Sequence, residues 1–295
     1  MQEREGIGQS DGVRSGFVTL VGRPNVGKSS LINTICGDKV SIVSDKPQTT
    51  RHRVRGVLTR PDAQVVFVDT PGLHKPVTAL GRRVNATAME SVAESDSGVD
   101  VVCLVLDATA PFGAGDRWVA GHLHLPSTIV VVNKVDLAKR EHVLAQLGAA
   151  AELEAESYFP VSARTSEGID ALVDHLVERM PEGPAYYPEG TVRDVPDEQW
   201  VAELVREQLL AVTRDELPYS IATRVSEWEG NRITVEIVVE RDSQKGMVIG
   251  KRGSVLKRVG EQARQQLPEG TFLDLRVKVD KDWQRRADRV ERLGY

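Results

Sequence analysis

Eight residues, Gly22-Arg23-Pro24-Asn25-Val26-Gly27-Lys28-Ser29, constrain this chain more than any other stretch. They fit glycine, four of any kind, glycine, lysine, serine, the P-loop pattern, which needs a β-strand before it and an α-helix after it. Phe17–Val21 (FVTLV) supplies an apolar strand, and Lys28 to Cys36 reads as a helix start. Gly22 and Gly27 let the backbone curl so that successive N–H groups point inward, where the helix dipole adds positive potential for phosphate oxygens. In such a loop Lys28 reaches the β- and γ-phosphates of a nucleotide and the Ser29 hydroxyl ligates Mg²⁺. A plain glycine-rich strand-to-helix turn is the alternative.

From Phe17 to Met180 apolar runs alternate with helix-like segments. The runs are Val65–Val68, Val99–Leu106, Thr128–Val132 and Tyr158–Val161; the helical stretches are Thr78–Glu94, Arg140–Leu153 and Glu167–Met180. Alternation with Val-rich, buried strands implies an α/β fold, a mostly parallel sheet with helices on both faces. Ligands in such sheets sit at the carboxyl ends of the strands. The stretch Pro181 to Pro196 is rich in proline and glycine and reads as a linker or an extended connection. Beyond it a smaller α+β unit follows: helix Glu198–Thr213, strands Ser220–Trp228 and Arg232–Glu240, helix Val255–Leu267, strand Phe272–Val279 and a terminal helix Asp282–Leu293. The expected divisions are a loose tail over 1–15, a nucleotide domain over 16–181, a linker over 182–197 and a second domain over 198–295. No run of eighteen apolar residues exists, so no membrane span is expected. Cys36 and Cys103 each lie in apolar surroundings and read as buried thiols of a reduced, cytosolic protein. The six histidines show no paired metal spacing.

Three further elements follow strands and can converge on the P-loop. Asp69-Thr70-Pro71-Gly72 offers an acid to hold Mg²⁺ through water and a Gly72 N–H to sense a γ-phosphate. Asn133-Lys134-Val135-Asp136 offers a carboxylate, Asp136, that accepts from both N1–H and the 2-amino group of guanine. Adenine has neither donor, so the wrong base leaves a buried charge unpaired. Asn133 would brace the loops and the Lys134 stem would cover the base. Ser162-Ala163 brings a backbone N–H toward guanine O6. The four elements in this order point to GTP and GDP rather than ATP as ligand.

At this point the chain resembles the translation-factor-like GTPases, and among them the Era family of bacterial ribosome-assembly GTPases with a C-terminal KH domain. The resemblance covers nearly everything after the tail. It is carried by GRPNVGKSSLIN (Gly22–Asn33), PQTTRHR (Pro47–Arg53), DTPGLHKP (Asp69–Pro76), NKVD (Asn133–Asp136), VIGKRG (Val248–Gly253) and the closing Leu293-Gly294-Tyr295. It implies a first switch over Gly37 to Arg53, with Thr50 as the γ-phosphate-sensing Mg²⁺ ligand and Thr49 beside it. A second switch is implied from Asp69 to about Glu94. Leu73 stands where Ras-like enzymes carry a water-orienting glutamine, so slow intrinsic hydrolysis is expected. Related GTPases with an asparagine at the place of Asn25 use bound K⁺ to supply positive charge, and the same role is expected for Asn25.

The net charge of −5 argues against nonspecific coating of nucleic acid, but Arg241 to Arg264 carries a local excess of +5 in twenty-four residues. Within it, Ile249-Gly250-Lys251-Arg252-Gly253 fits the GXXG loop of KH domains. It is placed between the strand pair and a helix. Lys245, Lys251, Arg252, Lys257 and Arg258 would meet RNA phosphates, while Val248, Ile249, Val255 and Leu256 form a floor for bases. The element order resembles a type II KH domain. The resemblance implies a target, the single-stranded 3′ end of small-subunit ribosomal RNA, on the small ribosomal subunit; DNA is not expected. Era-like proteins are often partly peripheral to the inner membrane, and Lys281, Arg285, Arg286, Arg289 and Arg292 offer lipid or RNA contact. With Asp282, Asp288 and Glu291 counted, that stretch is only +2, which favours a solvated helix.

Rival readings are a tRNA-modifying GTPase, which needs a folate-binding domain ahead of the first strand, a double GTPase, which needs a second Asn-Lys-x-Asp element, and an RNA-binding protein with a vestigial nucleotide site. Intact Lys28, Ser29, Asp69 and Asp136 argue against the last.

Overall fold

The computed structural model describes residues 13–73, 78–93, 98–213 and 217–295. The first domain runs β1 (Val13–Val21), α1 (Lys28–Cys36), β2 (Val54–Thr59), β3 (Ala63–Asp69), α2 (Ala79–Ala93), β4 (Val101–Asp107), α3 (Ala114–Ala120), β5 (Thr128–Asn133), α4 (Arg140–Ala151), β6 (Ser157–Pro160) and α5 (Ile169–Arg179). The strands lie in the order β6-β5-β4-β1-β3-β2, with β2 the antiparallel member of this set. Every residue of β3 and β5 is buried, as a strand covered on both faces requires. Leu31, Ile32 and Ile35 of α1 and Ile169, Leu172 and Leu176 of α5 cover one face. Ala88 of α2, Val119 and Ala120 of α3 and Ala150 of α4 cover the other. The order reverses at β1, between β3 and β4, so a crevice opens beyond its carboxyl end, where the P-loop begins.

Two expectations change here. β1 begins at Val13, inside the expected tail; Ser15 is buried and its hydroxyl donates to the Pro184 carbonyl at 2.8 Å. Residues 1–12 of that tail lie outside the described residues. The expected linker is strapped to the sheet by two short strands, β7 (Glu182–Gly183), which pairs with β1, and β8 (Arg193–Asp194), which pairs with β2. Of the two readings of this stretch, linker or extended connection, the pairings favour the second.

The second domain comprises α6 (Asp197–Val212), α7 (Leu217–Ser220), β9 (Ala222–Glu229), β10 (Arg232–Val239), α8 (Asp242–Ile249), α9 (Ser254–Arg264), β11 (Phe272–Val279) and α10 (Ala287–Arg292). Its sheet has the order β11-β10-β9, with β10 and β11 parallel. Val201, Val205 and Leu209 of α6, Val248 of α8 and Val259 and Ala263 of α9 pack against Ile233, Val235, Ile237 and Val239 of β10. The terminal helix is shorter than expected, because a 3₁₀ turn at Trp283–Arg285 precedes it. Ala79, Leu80 and Val84 of α2 share a cluster with Ala222, Val238, Trp283, Val290, Leu293 and Tyr295, so the domains meet through a common apolar patch. Among the described residues no helix is long and apolar enough to cross a membrane.

The strap depends on Gln64, whose buried side chain accepts from the Tyr186 and Tyr187 N–H groups at 2.7 and 2.9 Å and donates to the Tyr187 carbonyl at 2.9 Å. Gln64→Ala leaves these groups without partners, at a cost of about 1–3 kcal/mol. We expect a lower unfolding temperature and faster chymotryptic cleavage after Tyr186; an unchanged cleavage rate would show that the strap is held by other contacts.

Candidate functional site

The P-loop joins β1 to α1 through a backbone that only particular residues tolerate. Gly27 has φ +97°, and a Cβ there would lie 2.3 Å from Asn133 Nδ2. A Cβ on Gly72 would lie 2.6 Å from Pro24 Cα, so the loop after β3 passes directly over the P-loop. Asn25 adopts φ 65°, and its amide donates to the Asp45 carbonyl at 2.7 Å, tying the P-loop to the expected first switch. Arg23 pairs with the buried Asp116 of α3 at 2.7 Å. Lys28 is buried and donates to the carbonyls of Gly22 and Arg23 at 3.1 and 3.0 Å. Burial lowers its amine to about 8, against the opposing charge of Asp69.

Beside it lie three oxygen-bearing side chains. Ser29 Oγ donates to Asp69 Oδ2 at 2.7 Å, Thr50 Oγ1 donates to the same oxygen at 3.3 Å, and the two hydroxyls are 2.9 Å apart. Asp69 is fully buried; burial raises its carboxyl above the usual carboxylate range, opposed by the Ser29 bond and the Lys28 charge. Its Oδ1 has no hydrogen-bond partner. Two hydroxyls and a carboxylate with an unanswered oxygen form a hard oxygen donor set, which fits Mg²⁺. Thr70 Oγ1 donates to the Leu20 carbonyl at 2.6 Å, locking the end of β3 against β1. The Leu73 N–H donates to the Gly22 carbonyl at 3.1 Å while its side chain packs in the core with Val21, Leu104 and Phe112. Leu73 therefore touches the site only through its backbone, and Val26 is likewise a core side chain. Pro71 follows in the same buried turn. The segment 74–77 of the expected second switch, with His74, Lys75 and Pro76 of the DTPGLHKP motif, and its end at Glu94 lie outside the described residues.

The base end is built around Asn133. Its Nδ2 donates to the Val26 carbonyl and its Oδ1 accepts the Ala163 N–H, both at 3.0 Å, so one side chain joins the P-loop to the loop after β6. Lys134 Nζ donates to the Asn25 carbonyl and to Asp107 Oδ2, both at 2.6 Å. Asp107 is half-buried, which alone would raise its carboxyl, but the bonds from Lys134 and Thr109 outweigh burial and hold it low. Val135 packs beneath, and its N–H donates to the Val161 carbonyl at 3.2 Å. Asp136 Oδ1 accepts from Ser162 Oγ at 2.7 Å; Oδ2 is buried without a hydrogen bond, with Arg164 Nε 3.3 Å away. A cavity of about 370 Å³ runs between the P-loop, Ile42–Asp45, Gln48–Thr50, Gly72 and Lys134. Asp107, Asp116 and Arg164 were not singled out from sequence. Asp107 carried a faint signal, an acid at a strand's carboxyl end; the other two act through tertiary contacts that spacing does not reveal.

The GXXG segment departs from expectation in its flanks. It joins two helices, α8 and α9, not a strand pair and a helix. Gly250 has φ 72° and ψ 173°, a region glycine alone occupies readily, and a Cβ there would meet Val255 Cγ2 at 2.5 Å. Arg252 and Gly253 follow with φ 53° and 78°. Lys251, Arg252, Lys257 and Arg258 are exposed, while Lys245 and Ile249 are half-buried. Lys257 faces Glu261 at 3.8 Å. Val248 is fully buried in the domain core and so is no part of a base-contacting floor; Ile249, Val255 and Leu256 remain at the surface in part.

Residues 17–134 match a family model described as "50S ribosome-binding GTPase", and residues 216–284 match a KH-domain model. GTPase Era of Mycobacterium tuberculosis (strain ATCC 25618 / H37Rv) is 47% identical over 95% of this chain and 98% of its own length. A crystal structure of Aquifex aeolicus Era bound to GDP·AlF4⁻ superposes with a TM-score of 0.89 at 36% identity, covering 96% of this chain and 99% of that one. A crystal structure of Era in complex with MgGDPNP and nucleotides 1506–1542 of 16S ribosomal RNA gives 0.90 at 36% identity and the same coverage.

The closeness of Gly27 to Asn133 yields a stability comparison. Gly37 ends α1 at φ +69° with nothing near its missing Cβ, so Gly37→Ala carries only left-handed strain of about 1–2 kcal/mol. Gly27→Ala adds displacement of the buried Asn133 amide, and its loss of stability on thermal or urea unfolding is expected to be clearly larger. Equal losses would mean that Asn133 yields without cost.

Proposed function

The chain belongs to the Era family of GTPases, and from that premise we propose that it is a guanine-nucleotide switch whose KH domain grips single-stranded RNA, the 3′ end of small-subunit ribosomal RNA, during assembly of the small ribosomal subunit. The observation that carries the guanine reading is Asp136. One of its oxygens accepts from Ser162, and the other is buried beside the Arg164 guanidinium at 3.3 Å without a hydrogen bond, so the carboxylate keeps acceptor capacity that guanine N1–H and its 2-amino group would complete. Asn133 braces the surrounding loops and Lys134 lies along the base. The Ser162-Ala163 loop lies at this end, and the Ala163 N–H, which donates to Asn133 Oδ1, would be shared with guanine O6.

At the phosphate end, Lys28 exchanges its two carbonyl partners for phosphate oxygens, and the backbone from Gly22 to Ser29 supplies N–H donors. Ser29, Thr50 and Asp69, already gathered by their mutual hydrogen bonds, would hold Mg²⁺, the two hydroxyls directly and the carboxylate through water. Bound Mg²⁺ neutralises charge on the phosphate oxygens. The Gly72 N–H meets the γ-phosphate. Leu73, with a hydrocarbon side chain turned into the core, orients no water, so unassisted turnover is slow. Asn25 and the Asp45 carbonyl meet beside this end of the site, and we assign Asn25 as a K⁺ ligand that supplies the missing positive charge. Hydrolysis is expected to run faster in K⁺ than in Na⁺ buffer, and equal rates would remove that assignment.

On the KH domain, Gly250 and Gly253 allow close approach of an RNA backbone. Lys245, Lys251, Arg252, Lys257 and Arg258 supply charge, and Ile249 offers apolar contact. The basic terminal stretch favours a solvated helix over lipid contact, because Arg286 pairs with Asp288 and Arg289 with Asp280. The test is RNA affinity for a 3′-end oligonucleotide measured with GDP and with a nonhydrolysable GTP analogue. The wild-type protein is expected to distinguish the two nucleotides. Asp136→Asn is expected to weaken guanine-nucleotide binding by two or more orders of magnitude and erase the difference, and Lys251→Glu to weaken RNA binding with either nucleotide. Identical affinities in the wild-type protein, with hydrolysis unmoved by RNA, would end the switch reading.

A further inference from the structure

Thr50 is one residue in a stretch without helix or strand between α1 and β2. Such a loop does not by itself fix a hydroxyl beside Ser29 and Asp69. Within the first domain, Asn33 holds its beginning, where Oδ1 accepts from the Val40 and Ser41 N–H groups, both at 2.9 Å, and Asn25 donates to the Asp45 carbonyl at 2.7 Å. From there to β2 the second domain supplies a series of partners. Glu207 Oε1 accepts the Val43 N–H at 3.0 Å, and its Oε2 pairs with Lys39. The carbonyl of Thr49 accepts from the guanidinium of Arg206, a fully buried side chain held in place by Glu203 one turn earlier on α6. Arg51, also buried, donates to the Ile221 carbonyl at 2.7 Å and to the Tyr295 hydroxyl at 3.4 Å. The His52 ring stacks on Tyr295 with centroids 4.8 Å apart and planes 21° apart. Both neighbours of Thr50 are thus clamped by the second domain, and Thr50 itself faces Ser29 and Asp69.

We propose that Tyr295 and Arg206 are positioning residues for Thr50: the KH domain completes the γ-phosphate-sensing side of the nucleotide site, so that preference for GTP over GDP belongs to the docked two-domain protein. The proposal rests on the reading of Thr50 as a Mg²⁺ ligand and goes beyond it. Thr50 has a role only when a γ-phosphate is present, so loosening its neighbours lowers affinity for the triphosphate and spares the diphosphate. Linkage then requires the converse, that GTP tightens docking of the KH domain by the same factor. Tyr295 joins both switches, since it also shares a cluster with Ala79, Leu80 and Val84 of α2.

The test measures dissociation constants for GDP and a nonhydrolysable GTP analogue at fixed Mg²⁺ in full-length protein. The variants are Thr50→Ala, Tyr295→Ala, Tyr295→Phe and Arg51→Met. Thr50→Ala, Tyr295→Ala and Arg51→Met are each expected to lower the analogue-to-GDP affinity ratio by about tenfold, with GDP affinity within about twofold of wild type. Tyr295→Phe keeps the ring against His52 and is expected to restore most of the ratio. A fall in the ratio with Thr50→Ala but not with Tyr295→Ala overturns the proposal and leaves the site reading standing. No fall with Thr50→Ala overturns the reading of Thr50 and the proposal together. Should Tyr295→Ala lose GDP binding as well, Arg51→Met carries the comparison: a lowered ratio supports the proposal and an unchanged one overturns it.

Discussion

Asp69 ends a strand in which every residue is buried, and a carboxylate in that position has to be answered by donors or by a cation. Ser29 from the P-loop helix and Thr50 from the loop before β2 answer one oxygen, Lys28 contributes its charge, and the other oxygen is left over. Three segments far apart in sequence are thereby drawn to the carboxyl end of β3. The same need explains why the sheet can afford a buried acid at all: two hydroxyls and an ammonium from other segments satisfy it. Everything functional in the first domain is arranged around this point, the phosphate loop on one side and the base-reading loops beyond it.

The nucleotide domain was legible where buried strands carry continuous apolar runs. Val65–Val68 and Thr128–Val132 stand out because neither face meets water, and the motifs fall directly after them. β2 went unread because Arg55 and Thr59 interrupt it and Gly56 weakens it, yet Gly56 is needed where Ile32 and Cys36 approach within 3.0 Å of its missing Cβ. α3, seven residues long, has too few turns to show a period. α8 was missed because Asp242, Ser243, Gln244, Lys245 and Gly246 give no apolar stripe; only Val248 is buried. Reading it as part of a strand-to-helix turn misplaced the flanks of the GXXG loop and put Val248 on the surface. The linker's contacts depend on Gln64, whose neighbours along the chain give no hint that its amide faces residues more than a hundred positions away.

The base site shows the same division. Asn133 and Asp136 stood out by type and spacing, and Asn133 does bridge the P-loop and the loop after β6 while Asp136 accepts from Ser162 in that loop. Asp107, which anchors Lys134, and Arg164, which lies beside Asp136, depend on how β4 and the loop after β6 happen to pass the same point. Lys134 illustrates the consequence. Its ammonium is fixed at two places, on the P-loop carbonyl of Asn25 and on Asp107, so its aliphatic stem is stretched across the position of the base instead of sampling solvent.

The interface between the domains is built from polar groups as much as from apolar ones, and that choice has a physical consequence. Hydrogen bonds to the Thr49 and Ile221 carbonyls depend steeply on distance and angle, so a modest shift of either domain loses them outright. Burial raises the stakes, because Arg206 and Arg51 have no water to turn to once their partners leave. Glu203 limits that cost for Arg206: its carboxylate, held below the usual range by the guanidinium despite burial, stays paired within α6 whether or not Thr49 is present. An interface of this kind does not slide; it is either formed or open. A purely apolar patch of the size shared by α2 and the terminal helix would tolerate small displacements and transmit little of them. By placing geometry-sensitive bonds on both sides of Thr50 and an apolar cluster behind them, the fold joins a two-state contact to the residue that faces Ser29 and Asp69.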